Sequence, residues 1–283
     1  MRNPPIRIAD AISRSAQLNG ITDTAMLDTQ LILCFVLQKT QAWLRTWPDA
    51  KMSEGHLSHF EELFQRRLAG EPVAYLTQSC GFWTLDLQVS AATLIPRPET
   101  ELLVEKALQL DLPETAQVLD LGTGSGPVIL ALASERPMWQ CTATDNSQSA
   151  LAIAERNLGR YGFDYVSFVC GDWYEPIRGQ RFHCIVSNPP YIAQSDPHLG
   201  EGDVRFEPTT ALTSGADGLD DLRQIIGGAS RALHKHGWLI TEHGYDQGSA
   251  VRALYAKSGF DQVTTHRDLN GQERITLGTA LCQ

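Results

Sequence analysis

Val118-Leu119-Asp120-Leu121-Gly122-Thr123-Gly124-Ser125-Gly126 decides the fold: a short apolar segment that reads as a buried strand runs directly into a glycine-rich turn. Outward from it the chain alternates. A helix is expected to Glu135, a strand over Gln140–Asp145, a helix to Arg160 and a strand over Tyr165–Cys170. This βαβαβ order predicts an α/β fold, a doubly wound and mostly parallel Rossmann-like sheet. Glycines at 122, 124 and 126 let the backbone approach a ligand at the N-terminus of the next helix, with Thr123 and Ser125 between them. Pro127 suits the first helical turn. It stands where a dinucleotide fingerprint needs Gly or Ala, so the loop fits a nicotinamide or flavin poorly and a compact nucleoside better. Asp145 closes the second strand, where a carboxylate can accept ribose hydroxyls. Asp172-Trp173 follows the third strand, where the indole can border an adenine and the acid its exocyclic amine.

The fourth strand, Phe182–Val186, leads into Ser187-Asn188-Pro189-Pro190-Tyr191. Neither proline has an N–H, and each holds the residue before it extended, so carbonyls here are kept out of helix and ladder. Asn188 adds a side-chain acceptor and Tyr191 a flat ring, so these four residues suit a planar group carrying an NH2. A Pro-rich turn leaving a strand explains the bare motif equally well. In a doubly wound sheet, however, the crevice opens between the first and fourth strands. That makes the glycine loop and Asn188 neighbours.

The rest of the chain frames this site. With 283 residues, 42% hydrophobic and 20% charged, two units are expected: a helical bundle over 1–72, a hairpin linker over 73–95 and the sheet domain over 96–283. The bundle's signature is Leu57, Phe60, Leu63, Phe64, Arg67 and Leu68, where steps of three and four mark one buried face, ended by Gly70-Glu71-Pro72. Thr22 or Asp23 is expected to cap the helix before it, whose run Leu31–Leu37 is apolar on every side. Gly81–Val89 alternates like one strand of the hairpin. Arg97 and Glu99, between prolines and a helix start, read from spacing as solvent charges. Ile192–Gly218 is long and rich in Gly and Pro, which suggests a functional loop over the cleft or a disordered stretch, the substrate-covering loop being favoured. His243 reads as a structural strand-end residue. No run approaches the ~20 apolar residues of a membrane span. Met1–Pro5 lacks an apolar signal segment, and the six cysteines include no Cys-x-x-Cys pair. A reducing cytoplasm is expected, without zinc, other metal or disulfides. Net charge is −10, and residues after 95 carry 15 basic against 24 acidic side chains, which weighs against a phosphate-bound nucleic-acid partner.

Together these motifs resemble class I S-adenosylmethionine-dependent methyltransferases, and within them the amino-methyltransferases with an (Asp/Asn)-Pro-Pro-(Tyr/Phe) motif. The helical N-terminal part, Gly81-Phe82-Trp83, Ile95-Pro96-Arg97-Pro98-Glu99-Thr100, Asp120 to Gly126, Ser187 to Tyr191 and Phe206-Glu207-Pro208 extend the likeness over nearly the whole chain. The resemblance is to the peptide chain release factor glutamine N5-methyltransferases, with Pro127 a departure where Ala is expected. It implies that Gly122 to Gly126 hold the methionine end of S-adenosyl-L-methionine, Asp145 the ribose, and Asp172 and Trp173 the adenine region. Asn188, Pro189, Pro190 and Tyr191 would take the substrate glutamine, and Asn188 would border the cofactor. Arg97 and Glu99 become substrate-side residues. The implied product is S-adenosyl-L-homocysteine, the implied partner a release factor, and the expected state a monomer. Two other readings stay open. A base amine of nucleic acid (adenine N6, cytosine N4 or guanine N2) presents the same planar NH2, and an idle cofactor-binding module is the third.

Overall fold

Apolar residues at helical spacing build the first of two units of the computed structural model, which describes residues 6–281. Met1–Pro5, Cys282 and Gln283 lie outside the described residues. Helices α1 (Ile8–Ser13), α2 (Ala25–Leu37), α3 (Gln41–Thr46), α4 (Glu54–Leu68) and α5 (Val73–Thr77) enclose a core centred on Ile32, Leu33, Phe60 and Phe64. α2 is the central helix, as its apolar run implies. Its N-cap position is Thr24 rather than Thr22 or Asp23: Thr22 Oγ1 instead accepts from the Thr24 N–H at 3.2 Å, and Thr24 Oγ1 donates to Asp28 at 2.7 Å. Asp28 is buried and receives Arg67 Nε of α4 at 2.7 Å, a pair shielded from water on both sides.

This unit runs to Ser79, past the expected boundary at 72, because Val73 and Leu76 of α5 pack into its core. It also takes in Pro197–Phe206. Asp203 accepts from Arg67 at 3.1 Å, and Arg205 donates to the Ala69 carbonyl at 3.1 Å. The middle of the long 192–218 stretch therefore packs with the helices, while its flanks stay with the sheet. There the Ile192 N–H donates to Leu212 O and the Gln194 N–H to Gly215 O.

The second unit begins with the hairpin β1 (Cys80–Phe82) and β2 (Leu85–Leu87), so the alternating segment read as one strand holds both. Trp83 turns the chain at φ 55°, and its backbone N–H donates to Glu101. Phe82, Leu85 and Leu87 are buried in the core of the sheet unit, which makes the hairpin part of that unit rather than a linker. After α6 (Glu101–Leu108) come β3 (Gln117–Leu121), α7 (Pro127–Glu135), β4 (Gln140–Asp145), α8 (Gln148–Tyr161), β5 (Val166–Cys170) and β6 (Phe182–Ser187). α9 (Asp220–Ala232), β7 (Leu233–Glu242), α10 (Gly248–Lys257), β8 (Phe260–Arg267) and β9 (Glu273–Ala280) follow. Among the described residues β3 to β9 form a seven-stranded sheet in the order β5-β4-β3-β6-β7-β9-β8, all running one way except β9, which is antiparallel to both of its neighbours. The Rossmann-like fold expected from the alternation is present.

Register sets up the site. Leu121, the last residue of β3, lies opposite Thr144 of β4 and Ser187 of β6. The glycine loop and Asn188 therefore leave the carboxyl edge side by side, at the reversal of strand order where such sheets bind ligands. α7 packs its buried Val128–Ala133 run on one face of the sheet, and Leu222, Ile225 and Ile226 of α9 cover the other.

Candidate active site

A cavity of about 400 Å³ opens at that reversal, a size that suits a nucleoside-type ligand. Its floor is the glycine loop. Gly122 and Gly124 take left-handed φ of 73° and 58°, and the N–H groups of Gly122 and Thr123 both donate to Thr144 O, at 2.9 and 3.0 Å. A Cβ on Gly122 would stand 3.2 Å from the Trp173 ring, whereas one on Gly124 would meet nothing within 4 Å. Gly124 is thus the point of closest approach for a ligand. Pro127 sits in the first turn of α7, as its type predicts, and lines the cavity.

Asp145 is held by two backbone donors, Gly124 N–H to Oδ2 and Ser147 N–H to Oδ1, both at 2.8 Å. Each oxygen keeps a further lone pair for a hydroxyl. Burial raises this carboxyl above its ordinary range, partly offset by those two N–H groups. Behind the loop, burial pushes Asp120 up to about 7 against the bond it receives from Thr123 Oγ1 at 2.6 Å. Ser125 Oγ is buried on the cavity wall without a partner among the described residues. An orphaned hydroxyl, an open glycine and a carboxylate with spare lone pairs fit a polar ligand carrying hydroxyl and amino groups.

Asp172 and Trp173 also line the cavity. Trp173 has φ 42°, its carbonyl accepts from Thr144 Oγ1 at 3.2 Å, and its ring backs onto Gly122. From β6, Asn188 and Pro190 reach the wall, and Asn188 Nδ2 donates to Thr100 Oγ1 at 3.0 Å. Its Oδ1 is left as the acceptor. Arg97 lines the cavity too, but it is bound to the buried Glu207 carboxylate at 2.5 Å rather than standing in solvent. Gly126, Pro189, Tyr191 and Glu99 do not form the wall. Gly126 caps α7, Pro189 is buried, Glu99 is half-buried, and Tyr191 packs on the α9 side of the core with its hydroxyl donating to Glu242 Oε1 at 3.3 Å.

Comparison with known proteins gives this geometry a family. A model described as "PrmC N-terminal domain" matches residues 12–77, and one described as "Methyltransferase small domain" matches 98–201. The release factor glutamine methyltransferase of Pseudomonas aeruginosa is 54% identical over 92% of this chain and 94% of its own length. That of Escherichia coli is 42% identical over 89% and 91%. The chain belongs to the release factor glutamine methyltransferase family. A methyltransferase structure from Pyrococcus furiosus, 17% identical with a TM-score of 0.55 over 78% of this chain and all of that one, shares the fold.

Two residues of the cavity wall, Asp120 and Thr100, receive no role from a reading of motifs. Asp120 sits inside a strand and looks like core. Thr100 looks like part of a helix start, yet its hydroxyl meets Asn188 from 88 positions away. Glu242, at the end of β7, lies off the cavity wall and meets Tyr191. Its neighbour His243 is buried, with Nε2 2.9 Å from Thr276 Oγ1 and Nδ1 2.9 Å from Gly244 O.

Proposed function

We propose that this chain transfers the methyl group of S-adenosyl-L-methionine to the side-chain amide nitrogen, N5, of the glutamine in the Gly-Gly-Gln motif of peptide chain release factors, leaving S-adenosyl-L-homocysteine. The observation that carries the reading is Asn188: its NH2 is committed to Thr100, so its carbonyl oxygen is the free end beside a cavity built on the glycine loop. The family relationship supports the same substrate. Gly122 to Gly126 and Ser125 Oγ would take the amino-acid end of the cofactor, Asp145 the ribose hydroxyls, and Asp172 with Trp173 the adenine.

When bound, the cofactor supplies a methyl group made electrophilic by sulfonium charge. The chain's own task is to make a poor nucleophile attack it. An amide lone pair is delocalised, and positive charge grows on nitrogen as the N–C bond forms and the S–C bond breaks. Asn188 Oδ1 and the Pro189 carbonyl accept the two N–H groups of the glutamine, which aims the nitrogen and stabilises that charge. Tyr191 supports the pocket from behind. The methylated nitrogen is acidic and releases its proton to solvent, so no side chain serves as general base. Arg97 and Glu99 would stand on the substrate side, with Arg97 oriented by Glu207. The helical unit would dock the release factor, with the reaction taking place in the cytoplasm.

Labelled methyl transfer offered in parallel to release factor, a Gly-Gly-Gln peptide, DNA and ribosomal RNA tests this. Label on the release factor glutamine is expected. Label on a base amine alone, with strongly salt-dependent binding, would replace the reading with the nucleic-acid one. Asn188→Ala should keep most cofactor affinity and lose turnover about a hundredfold. Near-normal single-turnover rates would remove Asn188 from the role.

A further inference from the structure

Pro189 and Pro190 fix φ at two successive residues but leave ψ free, and ψ decides where a carbonyl points. As acceptors for the substrate amide, Asn188 Oδ1 and the Pro189 carbonyl must aim at one nitrogen, so the segment that carries them has to be held at both ends. Ser187 holds the first end. It closes β6 in register with Leu121 of β3 and Thr241 of β7, and its Oγ donates to Leu121 O at 2.7 Å. At the other end the carbonyl of Tyr191 accepts from Gln247 Nε2 at 2.9 Å. Beside it the Ile192 N–H donates to Leu212 O and Ile192 O accepts from the Ser214 N–H, both at 2.9 Å.

The setting of Gln247 makes that bond a fixed one. As the N-cap residue of α10 its own N–H donates to Gly244 O at 3.0 Å and its carbonyl accepts from the Val251 N–H at 3.0 Å, so its backbone is tied down. Its Oε1 accepts from the Gly244 N–H at 2.8 Å, while Nε2 serves Tyr191 O and, in longer contacts at 3.4 Å, the carbonyls of Asp217 and Gly218. A backbone N–H can only donate and a backbone carbonyl can only accept, so these partners permit one orientation of the amide. Gly218 leaves room for the bond: it sits at φ 74°, and a Cβ there would collide with both Tyr191 O and Gln247 Nε2. Gln247 is off the cavity wall, so any effect it has on the reaction passes through the backbone it holds.

We infer that Gln247 is a positioning residue for methyl transfer: by donating to the Tyr191 carbonyl it locks the far end of the Asn188–Tyr191 turn, and so sets the direction in which Asn188 and the Pro189 carbonyl meet the substrate amide. This rests on the reading of those two groups as acceptors for that amide. The same side chain touches residues 191 and 218, so it anchors both feet of the long 192–218 stretch beside the turn. Misplacing an orienting group by about 1 Å can cost about a hundredfold in rate, which makes a single anchoring bond worth a kinetic effect well beyond its share of stability.

The test is methyl transfer to release factor by the full-length enzyme, in steady state and in single turnover, with cofactor Kd by calorimetry and Tm by thermal unfolding. Gln247→Met matches the side chain in length and removes both amide bonds. Gln247→Glu, ionised at pH 8, keeps the acceptor for the Gly244 N–H and removes only the donor to Tyr191. Both are expected to lower kcat about tenfold or more, with KM for release factor and cofactor Kd within about twofold. A purely structural role would lower Tm and leave the kcat of the folded enzyme intact. Turnover in Gln247→Glu within about twofold of the unsubstituted enzyme, or a loss confined to Tm, KM or cofactor Kd in either variant, would overturn the inference, and each variant decides the matter alone where the other fails to fold. Asn188→Ala separates the two levels. If it loses turnover while the Gln247 variants keep theirs, only the inference fails; if it turns over normally, the reading beneath fails as well.

Discussion

Asp145 shows how one side chain can serve both loop and ligand. Its oxygens already take one N–H each, from Gly124 and Ser147, which fixes the carboxylate plane. Ribose hydroxyls would fill the remaining lone pairs. Asp145→Ala is expected to weaken S-adenosylmethionine binding by about 1.5–3 kcal/mol, the worth of hydrogen bonds to a charged acceptor, measured by titration calorimetry. Unchanged affinity would place the ribose elsewhere. The position was readable from sequence because a strand-end acid after a glycine turn is a local pattern. Thr100 was not, since a threonine at a helix start has a sufficient local explanation and its partner is reached only through the fold.

At the level of elements, the glycine loop and the α2–α4 pair make opposite demands. Gly124 adopts φ 58° with open space where a side chain would be. Gly124→Ala should cost only about 1–2 kcal/mol of stability, the penalty of the left-handed region for an L-residue. Its methyl would still occupy the ligand's approach, so cofactor affinity should fall by more than thermal stability does; an unchanged Kd would show that the ligand does not come close here. The α2–α4 contact is purely structural. Arg67 and Asp28 side chains are 2% and 3% exposed, and removing Asp28 leaves the buried guanidinium with only the partly exposed Asp203 carboxylate and the Gly70 and Glu71 carbonyls. Asp28→Ala is expected to cost about 3–5 kcal/mol. Thermal unfolding of the full chain should show it, with the helical unit affected first; a loss of less than about 1 kcal/mol would mean that water reaches the pair.

Across the whole molecule, two buried acids tie stability to pH. Asp120 and Glu242 are each raised to about 7 from ordinary values of 3.8 and 4.5. The folded protein therefore holds more protons than the unfolded chain between those limits, and stability is present below the unfolded values and lost as pH rises toward and through 7. Tm should be higher at pH 5.5 than at pH 8, and Glu242→Gln should flatten the dependence. The lowered acids Asp10, Asp217 and Glu273 lie at the surface, and their contribution is lost only below about pH 4. A Tm that increases from pH 5.5 to 8 would contradict this assignment. At the same scale the docking role proposed for the helical unit predicts that kcat/KM for intact release factor exceeds that for a short Gly-Gly-Gln peptide by about a hundredfold or more, since remote contacts would position the amide. Equal values would remove that role.

Sequence by itself determined the alternation of strands and helices, the glycine turn, and the strand-end positions of Asp145 and Asn188. Each of these is written in local chemistry: buried parallel strands are continuous apolar runs, turns need glycine or proline, and strand ends carry the polar groups. Only the tertiary structure decided that β9 inserts between β7 and β8, that the hairpin belongs to the sheet unit, and that Pro197–Phe206 joins the helices. It also decided that Asn188 bonds to Thr100 and Tyr191 to Glu242. These facts depend on which distant surfaces pack together and which buried donors find acceptors, and such pairings have no period or spacing along the chain by which they could be read.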